Sequence, residues 1–180
     1  MSRIDETLDF VPVKIAVLTV SDTRTLDEDR SGDVLCERLN SAGHILADRK
    51  VIRDERNDIA GQLQNWIDDP EIDVVISTGG TGLTGRDVTV EAHRDVYEKE
   101  IEAFGTVFTI VSMKKIGTSA VQSRATGGVA GGTYLFALPG SPGACKDAWD
   151  EILSLQFDYR HRPCNFVEIM PRLDEHMRRK

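Results

Sequence analysis

Three strand-length stretches of this chain are apolar almost without interruption: Lys14–Val20, residues 73–77 and Thr133–Leu138. A strand with one wet face alternates apolar and polar residues, so strands apolar throughout need cover on both sides. That favours a central parallel sheet between two layers of helices. The intervening segments read accordingly. Residues 31–42 place Leu35, Leu39 and Ala42 on one face and stop at Gly43, a helix C-cap. Ile59, Leu63, Trp66 and Ile67 follow the spacing of an amphipathic helix, closed by Asp68-Asp69-Pro70. Helical patterns cover 90–99 and 103–115. Ser141 caps a further helix with Pro142 at its first position, and Ala144, Cys145, Ala148, Trp149, Ile152 and Leu153 form its buried stripe.

Other segments are less regular. Ile45–Ile52 is a more polar strand, nearer an edge. Two Gly-Gly pairs around Val129-Ala130 predict a short strand or a tight reversal. Residues 25–30 read as a mobile charged loop, and the chain from Arg160 onward as charged and irregular. The expectation is an α/β fold: a single-domain, three-layer α/β/α unit with a mostly parallel sheet over 13–167, an N-terminal extension (1–12) and a charged C-terminal tail (168–180).

Composition excludes several function classes. The 180 residues carry 22 Lys+Arg against 30 Asp+Glu, a net charge of −8, which does not favour nucleic acid or an anionic membrane as partner. A local anion site remains compatible with that field, because backbone dipoles act at short range. Cys36, Cys145 and Cys164 form neither a C-x-x-C pair nor an even set, so no disulfide framework or zinc site is expected; Cys36 and Cys145 read as small buried hydrophobes. His44, His93, His161 and His176 show no metal spacing, and solvated or capping roles are expected. The first residues carry acids and no apolar run, and no stretch is apolar enough to span a bilayer, so a cytoplasmic location is expected.

In parallel sheets, ligands bind beyond the carboxyl ends of the strands. There, directly after the 73–77 strand, stands Thr78-Gly79-Gly80-Thr81-Gly82. Glycines bare their amides and admit positive φ, so successive N–H groups can converge on an oxyanion, with Thr78 and Thr81 adding hydroxyl donors. Gly80-x-Gly82-x-x-Gly85 spells the dinucleotide fingerprint. It follows the third strand rather than the first, however, and Glu102 lies in a helical stretch, which argues against a dehydrogenase. The chain has no Gly-Lys pair, so it has no Walker A loop. Asp87 can reach a phosphate in this loop through Mg2+, or can cap the next helix. Asp54 and Glu55 follow the second strand on the same edge.

These motifs resemble the MoaB/MogA family of molybdenum-cofactor biosynthesis proteins. The resemblance runs from about Lys14 to Phe166. It rests on Ser77-Thr78-Gly79-Gly80-Thr81-Gly82 with Arg86-Asp87-Val88-Thr89 and Glu91-Ala92, on Thr19-Val20-Ser21-Asp22, on Gln122-Ser123-Arg124, and on Leu138-Pro139-Gly140-Ser141-Pro142. Ile116-Gly117-Thr118-Ser119 and Arg162-Pro163-Cys164-Asn165-Phe166 are similar to the MoaB branch.

The resemblance implies a reaction: molybdopterin attacks the α-phosphate of Mg-ATP, giving adenylyl-molybdopterin and pyrophosphate. It implies Asp54 and Asp87 as the catalytic and Mg2+-handling acids. Gly79, Gly80, Thr81 and Gly82, with Thr78, would form the phosphate cradle, and Ser112, Ser123 and Ser141 would lie on the substrate side. ATP enters as co-substrate, with no tightly bound cofactor, and a trimer or hexamer of the chain is implied, the hexamer favoured. Two positions depart from the catalytic branch: Arg53-Asp54 replaces Pro-Asp, and Thr89-Val90-Glu91-Ala92 replaces Thr-Pro-Glu-Ala. The alternative is a non-catalytic molybdopterin or nucleotide binder of the same pathway.

Overall fold

The computed structural model describes residues 3–178. Its strands are β1 (Arg3–Ile4), β2 (Lys14–Val20), β3 (Ile45–Ile52), β4 (Val74–Thr78), β5 (Lys99–Glu100), β6 (Thr126–Ala130), β7 (Thr133–Leu138) and β8 (His161–Arg162). Six of them form one sheet in the order β3-β2-β4-β7-β6-β5. The first four run parallel, and β6 and β5 add an antiparallel edge. The apolar strands β2, β4 and β7 are the central ones, and half-exposed β3 is the outer one, as their composition predicts.

Side chains alternate along each central strand, so the sheet divides the interior in two. Ile15, Val17, Val74, Ile76 and Phe136 face α1 (Arg30–Ser41), α4 (Glu102–Ile116) and α5 (Pro142–Ala148, continued by a wider turn through Leu153). Ala16, Leu18, Val75 and Leu135 face α2 (Arg56–Ile67) and α3 (Thr89–Val96). Each fully buried Leu, Val or Ile of this kind contributes roughly 1.5–3 kcal/mol relative to exposure. Cys36 and Cys145 lie in the first of these cores, as expected.

Four segments differ from the sequence expectation. Residues 25–30 are not a loose loop: Leu26–Glu28 form a single 3-10 turn, and buried Asp29 caps α1 by accepting the Gly32 amide and pairs with Arg49. The helix from 90 ends at Val96, because Tyr97 turns to pack against bare Gly128 and the next residues pair with β6. The Gly-Gly pairs yield both a strand and a reversal: Gly131 and Gly132 take positive φ (58° and 90°) between antiparallel β6 and β7. The chain after Arg160 is not irregular. β8 pairs with β1, Asn165 caps a short helix (Phe166–Ile169), and the Phe166 ring lies 4.8 Å from that of Tyr134. Charge at the surface hid these few apolar anchors.

The histidines differ too. His44, His93 and His161 are buried. The His44 ring accepts the Val13 amide, and burial lowers its pKa to about 4. No helix among the described residues is long and apolar enough to cross a membrane.

Candidate functional site

Because β2, β3, β4 and β7 run parallel, the segments after Val20, Ile52, Thr78 and Leu138 share one rim. Two backbones nearly touch there. Gly79, at φ 98°, donates its amide to the Leu138 carbonyl, and a Cβ on Gly140 would lie 2.9 Å from the Gly79 Cα. A Cβ on Gly79 would meet the Val20 carbonyl. This glycine serves close approach of three strand ends, and its amide is not available to a ligand. Thr78 is likewise turned inward: its hydroxyl donates to the Pro139 carbonyl at 3.0 Å. The expectation that it faces an anion does not fit this placement.

The next residues are different. The amides of Gly80 and Thr81 have no partner among the described residues. Gly80 takes φ 61°, and its bare side meets the Asp54 carboxylate and the Thr89 hydroxyl. Asp54 accepts the Val88 amide at 3.3 Å. Its pKa is raised, first by burial and then by the charges of Asp87 and Asp22, with the Val88 bond opposing. Thr89 Oγ1 is buried and has no hydrogen-bond partner.

Asp87 lines the same loop but curls back onto it. Its carboxylate accepts the Thr84 amide at 2.8 Å and the Thr84 hydroxyl at 2.6 Å, and lies 2.8 Å from where a Gly82 Cβ would be. The Thr84 hydroxyl, above all, lowers its pKa. Asp54 and Asp87 are therefore brought to one loop, in opposite electrostatic conditions. The donor set suits a hard cation such as Mg2+, which takes one or two carboxylates and fills its shell with phosphate oxygens and water. No cluster of three or more His, Cys, Asp or Glu suited to a metal occurs among the described residues, so the protein builds no closed cage. The unpartnered buried hydroxyl beside Asp54 is where such a group fits.

Several residues that hold the site stand in the motifs or at strand ends but have no role assigned from the sequence. Arg124 donates to the Thr81 and Asp87 carbonyls and grips both carboxylate oxygens of Glu91 at 2.6 and 3.0 Å, tying the glycine loop to α3. Arg86 bridges Asp22 and Glu55, and Asp22 accepts the Asp54 amide. Their charge in the motif-rich segments was visible; their partners, some thirty to sixty residues away in sequence, were not. Beneath the loop, buried His93 shares a 2.8 Å hydrogen bond with Ser77, and burial lowers its pKa to about 3, keeping it neutral.

Ser112, Ser123 and Ser141, far apart in sequence, line one cavity of about 170 Å³ with Lys115, Ile116 and Asp147. Ser141 Oγ also accepts the Ala144 amide as the cap of α5. A larger cavity, about 700 Å³, lies at the opposite rim between Val13, Ile72, Thr133 and the C-terminal segment. It has none of the predicted site residues, whereas a cavity of about 710 Å³ lined by Thr109, Ile110, Ser123 and Arg124 shares Ser123 with the smaller one.

Residues 16–158 match a family described as "Probable molybdopterin binding domain". The chain belongs to this family of molybdenum cofactor biosynthesis proteins. Within the family, it is 45% identical over 158 residues to molybdenum cofactor biosynthesis protein B of Escherichia coli K12, covering 88% of this chain and 93% of that one. A crystal structure of a molybdenum cofactor biosynthesis protein B superposes with a TM-score of 0.83 at 35% identity, over 92% of this chain and 98% of the other. The tungsten cofactor synthesizing protein MoaB of Pyrococcus furiosus gives a TM-score of 0.70 at 35% identity, over 78% and 90%. The family fold is thus the mostly parallel sheet described above.

Proposed function

We propose that this chain adenylylates molybdopterin with Mg-ATP. A phosphate oxygen of molybdopterin attacks the α-phosphorus of ATP. The bond from that phosphorus to the bridging oxygen breaks, and pyrophosphate leaves with the electron pair. One observation carries the reading: the Asp54 carboxylate packs on Gly80, beside the unpartnered Gly80 and Thr81 amides. Amides that attract an anion next to a carboxylate that repels one are compatible with a cation bound between the two.

The bound Mg2+ would neutralise phosphate charge as the bond breaks. The chain's own part is positioning, which is most of what phosphoryl transfer asks of a protein. The Gly80 and Thr81 amides orient phosphate oxygens, Arg124 keeps their loop in place, and the cavity of Ser112, Ser123 and Ser141 receives part of the pterin. No protein nucleophile is required.

The test is pyrophosphate release from Mg-ATP with molybdopterin. Release well above that of Asp54→Asn is expected; a rate no higher than that variant's rejects the reaction. A second reading, binding without turnover, is favoured by the way Thr84 occupies the Asp87 carboxylate. Calorimetric titration with both ligands, alongside the rate measurement, separates the two.

Self-association belongs to the same proposal. Val107, Ile110, Met113 and Ile116 expose an apolar stripe along α4, and Ile116 also borders the serine cavity. That cavity is smaller than the roughly 300 Å³ or more of a usual small-molecule pocket. A second copy seated on the stripe would cover apolar surface and complete the enclosure, and light scattering should show a trimer or hexamer rather than a monomer.

A further inference from the structure

Resting on the proposed site, we infer that Thr89 is a ligand-contact residue: its hydroxyl and the Asp54 carboxylate together hold a divalent cation. Thr89 stands at the first position of α3 with its backbone amide donating to the Gly80 carbonyl. Its hydroxyl is buried and without a partner, although polar groups enclosed by protein are nearly always hydrogen-bonded. The hydroxyl and the Asp54 carboxylate both crowd the bare side of Gly80, so any side chain there would fill the space they share.

The enclosure discriminates between ligands. A phosphate group is too bulky to reach an atom turned away from solvent. An Mg2+ ion needs only about 2.1 Å to each oxygen and accepts a hydroxyl with a carboxylate as a hard oxygen pair. Asp87, held by Thr84 within its own loop, is less free to serve as the second protein ligand. The hydroxyl therefore takes the place that the family resemblance assigns to that carboxylate.

The experiment is titration of the full-length protein with Mn2+, with and without a non-hydrolysable ATP analogue, followed by electron paramagnetic resonance and thermal melting. Thr89→Val keeps shape and removes the hydroxyl. Mn2+ affinity should fall at least about tenfold, the scale on which loss of a ligand-supporting group acts. Melting of the ligand-free variant should be no lower than wild type, because nothing in the protein bonds that hydroxyl. Thr89→Ser should restore Mn2+ binding. Wild-type affinity in Thr89→Val, a markedly lower melting temperature without ligand, or no rescue by Ser would each overturn the inference. Asp54→Asn separates it from the parent reading. If that variant loses Mn2+ while Thr89→Val retains it, only the role of Thr89 fails; if neither loses it, the cation site itself fails.

Discussion

The two rims of the sheet both hold open space and differ in the chemistry around it. The rim at the strand starts has a cavity of about 700 Å³, walled by Pro12, Val13, Pro70, Val167 and Met170, with Asp73 already accepting the Lys14 amide. The rim at the strand ends has comparable space, about 640 Å³ beside Thr23, Arg24 and Pro142 and about 710 Å³ beside Ser123 and Arg124, and it also gathers bare amides, a desolvated carboxylate and an unpartnered hydroxyl. Volume measures where elements fail to meet. A place to bind a polar ligand is marked instead by groups whose interactions the protein leaves unfinished.

Substitutions can break or sharpen that contrast. The largest effect should come from the rim at the strand starts, and on stability alone. Phe166→Ala removes a ring stacked near Tyr134 and Phe136 and should cost about 3 kcal/mol in denaturant unfolding, leaving Mg-ATP affinity unchanged. At the other rim, Asp54→Asn should weaken Mg-ATP binding about a hundredfold by calorimetry, equivalent to roughly 2.7 kcal/mol. Arg124→Ala strands Glu91 and the Thr81 carbonyl and should destabilise by about 2 kcal/mol while also weakening nucleotide binding. If Phe166→Ala weakened nucleotide binding as much as Asp54→Asn, the division between the rims would be lost.

The smallest effect has a sign that tests the electrostatics. The folded-state pKa of Asp54 is raised by burial, so its ionised form is disfavoured in the native protein. Its contribution to stability is present below the ordinary aspartate value and lost as pH rises through the folded value. Asp54→Asn should therefore melt roughly 1–3 °C higher than wild type at pH 7, and the gain should vanish near pH 3.8. Asp87 and Glu91 act the other way. Thr84 and Arg124 lower their pKa values, so their stabilisation holds above the ordinary carboxylate range and is lost as pH falls through the lowered values.

What could be read in the sequence was whatever depends on local period. The uninterrupted apolar runs at Lys14–Val20 and Thr133–Leu138 locate central strands to the residue, and Ile59, Leu63, Trp66 and Ile67 locate a helix and its buried face. The neighbourhood of Asp54 and Asp87 followed from strand order together with the family resemblance. Side-chain direction did not. Asp87 turns to Thr84 because the bends after Gly82 bring that hydroxyl within reach, and Thr78 turns to Pro139 because β7 ends beside it. Arg124 finds Glu91 only once β6 has folded beside α3. Such contacts are tertiary, and no periodicity encodes them.

The near-contact between Gly79 and Gly140 has a mechanical consequence. The segment that would grip the nucleotide and the segment that leads into the serine-lined cavity share a pivot with no side chain to act as a cushion. Displacing either one would press main chain against main chain. A methyl group added to Gly140 would work as a shim, prising the glycine loop away from the segment that follows β7.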